Sequence, residues 1–349
     1  MKKVTYQQIA DALNTSRVTV WKALNDKPGV SPATKRTILM KAVEMGYPIS
    51  LMDAQDQELA AAGTASGTRR PETIHVAVAV SRPETSMFWM SIIHYQAMTF
   101  SQNDINLIYT YLPPTFSEGD TLPECLTNGT VSGIIVMNIY DSNLIRALNK
   151  LPIEKVFLDC PTELDFSELN GDLFLLEGIS PVEQIVDAMV RKGKRRIHFI
   201  GDIAYAQTNR ERYLGYLRSM QRNQLDTDFL PSLTNPIGID AYQETIVSFL
   251  DGLKPFPEGI VCASDHIASI VLDYCQQHQL RVPEDVLVSG YDDNHEFDNR
   301  VPLTTVHVNN DRLGIRLATR LIHRIQNPQD DYEYTYIRNK AIFRSSTGD

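Results

Sequence analysis

Apolar positions in the first 45 residues recur at helical spacing. Over residues 6–13, Ile9, Ala10 and Leu13 fall on one face behind Thr5, a residue type that caps helices. Val18, Val20 and Leu24 share part of a face in Arg17–Leu24, as do Ile38, Leu39, Ala42 and Val43 in Pro32–Met45. Ser31-Pro32 reads as a helix start, a cap followed by proline at the first helical position, and Gly46-Tyr47-Pro48 as its stop. Residues 50–73 lose the periodicity and pass into Gly63-Thr64-Ala65-Ser66-Gly67, a flexible linker composition. From Ile74 onward, strand-length apolar runs appear at Ile74–Val80, Asn106–Tyr111, Gly133–Met137, Lys155–Asp159, Ile197–Gly201, Gly259–Ala263, Val286–Gly290 and Thr304–Val308. Helical segments lie between many of them: Met90–Phe100, Pro181–Arg191, Arg210–Arg222, Tyr242–Leu250, Ala268–Gln277 and Asp311–Ile325. This alternation predicts parallel sheets covered by helices. Its length exceeds one such sheet, so two lobes with a cleft between them are expected. The expected organisation is a helical head over 1–49, a linker over 50–73 and a two-lobed α/β domain over 74–345.

Charge sharpens the division. The 349-residue chain carries a net charge of −10, with 43% hydrophobic and 22% charged residues, an ordinary balance for a globular protein. Residues 1–49 nevertheless hold eight basic side chains against three acidic ones, a net +5, which leaves −15 on the rest. A basic head on an acidic body fits phosphate binding by one end only. Cys125, Cys160, Cys262 and Cys275 are scattered without a C-x-x-C pair, so reduced thiols are expected rather than disulfides or a zinc site. Polar Thr5, Tyr6, Gln7 and Gln8 follow Lys2 and Lys3 where an export signal would need an apolar run. No stretch is long and apolar enough to span a bilayer. The expected location is the cytoplasm.

Two short helices joined by the polar turn Asn14-Thr15-Ser16, the second carrying exposed basic and polar residues, form the design of a helix-turn-helix. A small helical cap docked on a larger domain is the alternative reading of the same pattern. Thr5, Ile9, Ala10, Ser16, Thr19, Val20, Lys22 and Asn25, then Val30-Ser31, Thr34, Ala42 and Gly46-Tyr47, closely resemble the head of the LacI/GalR family of bacterial transcription regulators. The resemblance covers nearly the whole chain and implies a homodimer whose two heads read a pseudo-palindromic operator. Carried over by position, it implies that Arg17, Val18 and Lys22 face base edges. It also implies that Thr5, Ser16, Thr19, Asn25 and Ser31 fix phosphates or the helix register. Lys22 stands where the family usually has arginine, which loses a bidentate fork. The family's Ala-Arg-x-Leu hinge helix is replaced by Asp53-Ala54-Gln55-Asp56-Gln57-Glu58-Leu59, whose carboxylates oppose a phosphate groove. A passive tether is therefore expected there, with Leu51 or Leu59 the residues that could still wedge into DNA.

In the body, Arg212-Tyr213-Leu214-Gly215-Tyr216, Ala263-Ser264-Asp265, Gly290-Tyr291-Asp292-Asp293 and Pro302-Leu303-Thr304-Thr305-Val306 resemble the family's effector domain, itself similar to periplasmic sugar-binding proteins. A sugar site needs hydrogen-bonding groups for adjacent hydroxyls and an aromatic face for the C–H side of the ring. Phe88 and Trp89 can supply that face, or pack in a dimer interface or core. Asp159 and Asp292 fall at strand ends, where α/β sheets bind ligands. Arg212 matches by position the family's ligand-binding arginine. Thr208, Ser264 and Asp265 complete the polar set, each with a helix cap as the alternative. The acidic run from Asp292 to Asp298 lacks metal-ligand spacing, so no metal is expected. No cofactor motif or catalytic constellation stands out, and none is expected. Arg344–Asp349 carries no heptad pattern, which favours a dimer over a tetramer. The resemblance therefore implies a repressor of sugar-metabolism genes controlled by a small carbohydrate. The alternative is a sugar-binding or sugar-processing protein with a helical appendage, separable by a turnover assay.

Overall fold

Three capped helices open the chain. Thr5 is extended and caps α1 (Tyr6–Ala12): its hydroxyl accepts from the Gln8 amide, and the Gln8 side chain accepts from the Thr5 amide at 2.9 Å. Ser16 caps α2 (Arg17–Leu24) by accepting from the Thr19 amide at 3.0 Å, and Ser31 caps α3 (Pro32–Glu44) through the Thr34 amide at 3.1 Å. Asn14, with φ of 49°, turns the chain between α1 and α2, a left-handed conformation that asparagine tolerates. Ile9, Ala10, Val20, Ala23, Leu24, Ile38 and Ala42 are buried together, with Val4, Tyr6, Leu13, Val30 and Met45 packed around them. One expectation is corrected: Val18 does not join this core but stands 60% exposed, because α2 turns Val20, Ala23 and Leu24 inward instead.

The computed structural model describes residues 4–24, 27, 29–45, 73–81, 87–227, 231–237, 241–294, 296 and 301–349. The proposed linker at 50–72, Asn25, and the side chains of Leu39 and Val43 lie outside the described residues. Chain order continues as β1 (His75–Val80), α4 (Met87–Ser101), β2 (Asn106–Tyr111), α5 (Glu124–Thr127), β3 (Gly133–Met137), α6 (Ser142–Asn149) and β4 (Glu154–Leu158). Next come β5 (Asp172–Leu176), α7 (Ile179–Arg191), β6 (Ile197–Ile200), α8 (Gln207–Arg222), α9 (Tyr242–Asp251), β7 (Gly259–Cys262), α10 (Asp265–Gln277) and β8 (Leu287–Ser289). The described chain closes with β9 (Thr305–His307), α11 (Asn310–Gln326), β10 (Tyr334–Ile337) and β11 (Lys340–Ile342).

Two compact units result. The first comprises Met1–Ile139, Ala147–Val156 and Asn310–Asp331; the second comprises Tyr140–Arg146, Phe157–Asn309 and Tyr332–Asp349. In the first, β1 pairs in parallel with β2 on one side and β3 on the other, with β4 beyond β3. The near-continuous burial of β1 and β3 is the mark of strands covered on both faces. Helix α11 packs on α4 so closely that a Cβ at Gly314 would collide with the Ile92 carbonyl oxygen. In the second unit, β6, β7 and β8 form a parallel sheet in that order, and β5 pairs in parallel with β10.

The structure adds elements that the hydropathy pattern did not predict. Strands β5, β10 and β11 and helices α5 and α6 are new, and β9 with β11 forms an antiparallel pair in a body expected to be all parallel. Ser346 and Thr347 are fully buried in the second unit, with the Ser346 hydroxyl donating to the Val288 carbonyl at 2.6 Å. The four cysteines are free thiols, and burial holds those of Cys160, Cys262 and Cys275 protonated. Among the described residues, no helix is long and apolar enough to cross a membrane.

Candidate functional sites

On the head, the caps leave α2 free to present one face. Arg17 and Val18 are exposed, and Trp21 and Lys22 are half-buried one turn further along the same side. Such a stripe offers two cations and a pair of methyl groups, the side-chain chemistry that reads base edges in a major groove. Thr5, Ser16 and Ser31 spend their hydroxyls on helix amides, and the Thr19 hydroxyl lies 2.7 Å from that of Ser16. Of the two roles considered for these residues, fixing the helix register is the one with observed contacts.

In the second unit, Arg212 of α8 gathers a polar cluster while only 6% exposed. Its guanidinium carbon lies 3.6 Å above the Tyr291 ring, a cation–π contact. One terminal nitrogen donates to the Ala263 carbonyl and to Asn209 Oδ1 at 3.3 Å; the other is 3.5 Å from Asp292 Oδ1. The buried Nε–H has no hydrogen-bond partner. Burial opposes the charge on Arg212, but Asp292, then Tyr291, Tyr205 and Asp159, raise its pKa overall.

Asp159 follows β4 in a left-handed turn with φ of 65°. Its Oδ2 accepts from the Thr208 hydroxyl at 2.5 Å and the Tyr140 hydroxyl at 3.3 Å, and its Oδ1 from the Cys160 and Thr208 amides. A carboxylate on the first-turn amides of α8 is well placed for the helix dipole. Burial raises the Asp159 pKa even so, against the lowering effects of Thr208, Cys160 and Arg212.

Four of the sequence candidates, Asp159, Thr208, Arg212 and Asp292, thus come together. Ser264 instead caps α10 by accepting from the Ile267 amide at 3.2 Å. Asp265 turns inward at 2% exposure, accepting from the Thr305 hydroxyl at 2.6 Å and the Asn294 amide at 2.7 Å. Phe88 and Trp89 belong to the first unit, in the opening turn of α4, with ring centroids 5.0 Å apart and edge-on. Tyr140, Tyr205, Asn209 and Tyr291 were absent from the sequence candidates. Asn209 was legible as the residue one helical turn before Arg212, and Tyr291 as the neighbour of Asp292; lone tyrosines in loops carried no signal.

Asp265 supplies a pH test. Burial, then the Asp292 carboxylate, pushes its carboxyl up to about 8, with Thr305 and Asn294 pulling the other way. The unfolded group ionises near 3.8, so the folded chain holds this proton longer. Stability from this group is therefore greatest below 3.8 and declines as pH rises toward 8, by up to about 1.4 kcal/mol per pH unit. Asp265→Asn has no proton to lose, so its melting temperature should fall less than that of the wild type between about pH 5 and pH 8. Parallel curves in scanning fluorimetry would contradict this.

Comparison with known proteins gives consistent matches. The pattern of the periplasmic-binding-protein-like domain matches residues 186–347. The HTH-type transcriptional regulator RegA of Clostridium saccharobutylicum is 25% identical over 350 residues, spanning 98% of each chain. Among solved structures, the complex of the transcriptional regulator CelR with cellobiose superposes with a TM-score of 0.70 at 20% identity, covering 99% of this chain and 100% of that one. A lac repressor dimer bound to operator and the anti-inducer ONPF superposes at 0.64 with 18% identity, over 99% of each chain.

Proposed function

We propose that the chain is a LacI/GalR-type transcriptional regulator, like the regulators RegA, CelR and GalR to which it is similar, and that a homodimer reads a pseudo-palindromic operator through α2 and releases or holds it according to a bound sugar. On this reading it is a DNA-binding regulator of sugar-metabolism genes rather than an enzyme, in keeping with the HTH-type transcriptional regulators it resembles. Residues 1–49 form the reading head, 50–73 the tether, and 74–345 the effector-binding and dimerising body, and the protein acts as a repressor in the cytoplasm. Arg17, Val18 and Lys22 contact bases, with Thr5, Ser16, Thr19, Asn25 and Ser31 in support. Asp159, Thr208, Arg212 and Asp292 hold the sugar. Phe88 and Trp89 are the candidates for an aromatic face; Ser264 and Asp265 act through the start of α10 and the turn at Asn294. The effector changes operator affinity only through unequal affinity for two arrangements of the body.

The observation that carries the DNA reading is Val18, a large apolar side chain left in solvent beside Arg17 on a helix capped by Ser16. Its exposed methyl groups suit contact with a thymine methyl group in a major groove. Selection of bound sequences from a random duplex library by the purified protein is expected to enrich one motif with two-fold symmetry. Recovery of no symmetric motif would defeat the proposal, as would turnover of a sugar that binds.

A further inference from the structure

We propose that the Glu211–Tyr336 hydrogen bond carries effector occupancy from α8 to β10, the strand by which the chain enters the second unit after its last passage through the first. This rests on the assignment of the Arg212 cluster as the effector site. Both residues act through Arg212 and its helix, which makes them positioning residues for the response rather than parts of the binding site.

Glu211 directly precedes Arg212, and its Oε1 accepts from the Tyr336 hydroxyl at 3.0 Å. Its Oε2 accepts from the Gly178 amide at 3.3 Å, in the turn between β5 and α7. A second tie runs beside the first. The Tyr291 ring under the Arg212 guanidinium donates its hydroxyl to the Glu177 carbonyl at 2.8 Å and accepts from the Asn339 side chain at 2.9 Å. Tyr336 lies in β10 and Asn339 just beyond it, and β10 begins shortly after the chain leaves the first unit at Asp331. A displacement of β10 is therefore handed on through the chain itself.

The route is stiff. A Cβ at Gly178 would meet the Arg212 amide nitrogen at 2.9 Å, and one at Gly215 would collide with the Ile179 carbonyl oxygen. With backbone against backbone, α8 cannot shift without moving the β5–α7 turn, so a small movement is passed on rather than absorbed.

The placement of Glu211 is costly. It is only 5% exposed, and both of its donors are neutral. Burial raises its pKa, the bonds from Gly178 and Tyr336 lower it, and the carboxylates of Asp159 and Glu177 raise it again. A buried carboxylate in such company is a poor way to stabilise a fold. It is well suited to sensing the cluster, because the field of Asp159 acts on Glu211 as it does on Arg212. Burial, then the Glu211 charge, pushes the Tyr336 phenol up to about 12, so it remains a donor at any working pH.

The test uses the full-length protein, the duplex selected as described above, and glucose, galactose, ribose, cellobiose and maltose as probes. Anisotropy gives the operator Kd with and without saturating sugar, and the ratio of the two is the coupling; calorimetry gives the sugar Kd. In the wild type at least one probe is expected to change the operator Kd by about tenfold or more. Tyr336→Phe loses one hydroxyl and should cut that ratio by at least about fivefold, with the sugar Kd and the sugar-free operator Kd each within about threefold of wild type. Glu211→Gln keeps an oxygen to accept from Tyr336 and should retain the response. A full response in Tyr336→Phe overturns the inference, as does a loss matched by an equal loss of sugar affinity. Operator binding that none of the sugars alters in the wild type overturns it together with the effector reading. Arg212→Lys, measured in parallel, tells the two failures apart. Unchanged sugar affinity there removes the site itself, whereas a response lost there but intact in Tyr336→Phe removes only the coupling route.

Discussion

Replacing Arg212 with lysine is expected to silence the effector response while leaving operator binding where it was. The guanidinium reaches the Ala263 carbonyl, Asn209, Asp292 and the Tyr291 ring at once, because its donors are spread over a rigid planar fork. A lysine ammonium is a compact point charge and cannot reproduce that planar fork. Each charged hydrogen bond lost is worth about 1.5–3 kcal/mol, so the sugar should bind roughly a hundredfold more weakly. The variant keeps the positive charge opposite Asp292, which limits the damage to the fold that alanine would cause by leaving buried carboxylates uncompensated. Calorimetry with the effector and gel retardation with the operator, run on the same preparation, read both halves. Retained sugar affinity would show that Arg212 is an internal tie and not a ligand contact.

The second large effect is expected on the head. Arg17→Ala and Lys22→Ala should each weaken the selected operator by about 1–3 kcal/mol, roughly ten- to a hundredfold, without altering sugar affinity. Any of this loss that comes from phosphate rather than base contact shows itself as a smaller dependence on salt, by about one unit of slope per contact removed. Ser16→Ala works by a different route. It removes the acceptor for the Thr19 amide and should lower head stability by about 1 kcal/mol, with a weaker and sequence-independent effect on binding. Fluorescence anisotropy on cognate and scrambled duplexes across a salt series distinguishes the two. If Arg17→Ala leaves the preference for the cognate duplex intact, base readout by this residue is excluded.

Much of the head was legible because its signals are local. A cap three residues ahead of its partner, as in Thr5 and Gln8 or Ser16 and Thr19, depends on nothing elsewhere in the chain. Strands such as His75–Val80 and Gly133–Met137 were readable for a related reason: burial on both faces makes them almost wholly apolar. Strand β10 shows where this fails. Its tyrosines at 334 and 336 are half exposed, and it becomes a strand only by pairing with β5 some 160 residues earlier, where Asp172 accepts from the Glu333 amide at 2.8 Å. Helices α8 and α10 begin three residues earlier than hydropathy suggests, because their first turns are polar and stabilised by contacts, Asp159 to Thr208 and Ser264 to Ile267. The same shift puts Thr208 and Asp265 inside helices. Asp159 and Asp292, which gather around Arg212, were picked out from their places at strand ends. The contact between the Tyr140 and Tyr205 rings was not, since two residues 65 positions apart meet only after the fold has formed.

The two tryptophans give the protein a built-in pair of reporters. Trp21 lies half-buried on the outward side of α2, and Trp89 sits edge-on to Phe88 in α4. A Trp89→Phe protein would emit tryptophan light from the reading helix alone. Operator titrations could then be followed without a dye, and sugar titrations would change the emission only when the bound sugar is felt at the head. A single spectroscopic experiment would thereby separate occupancy of the sensor from delivery of its message.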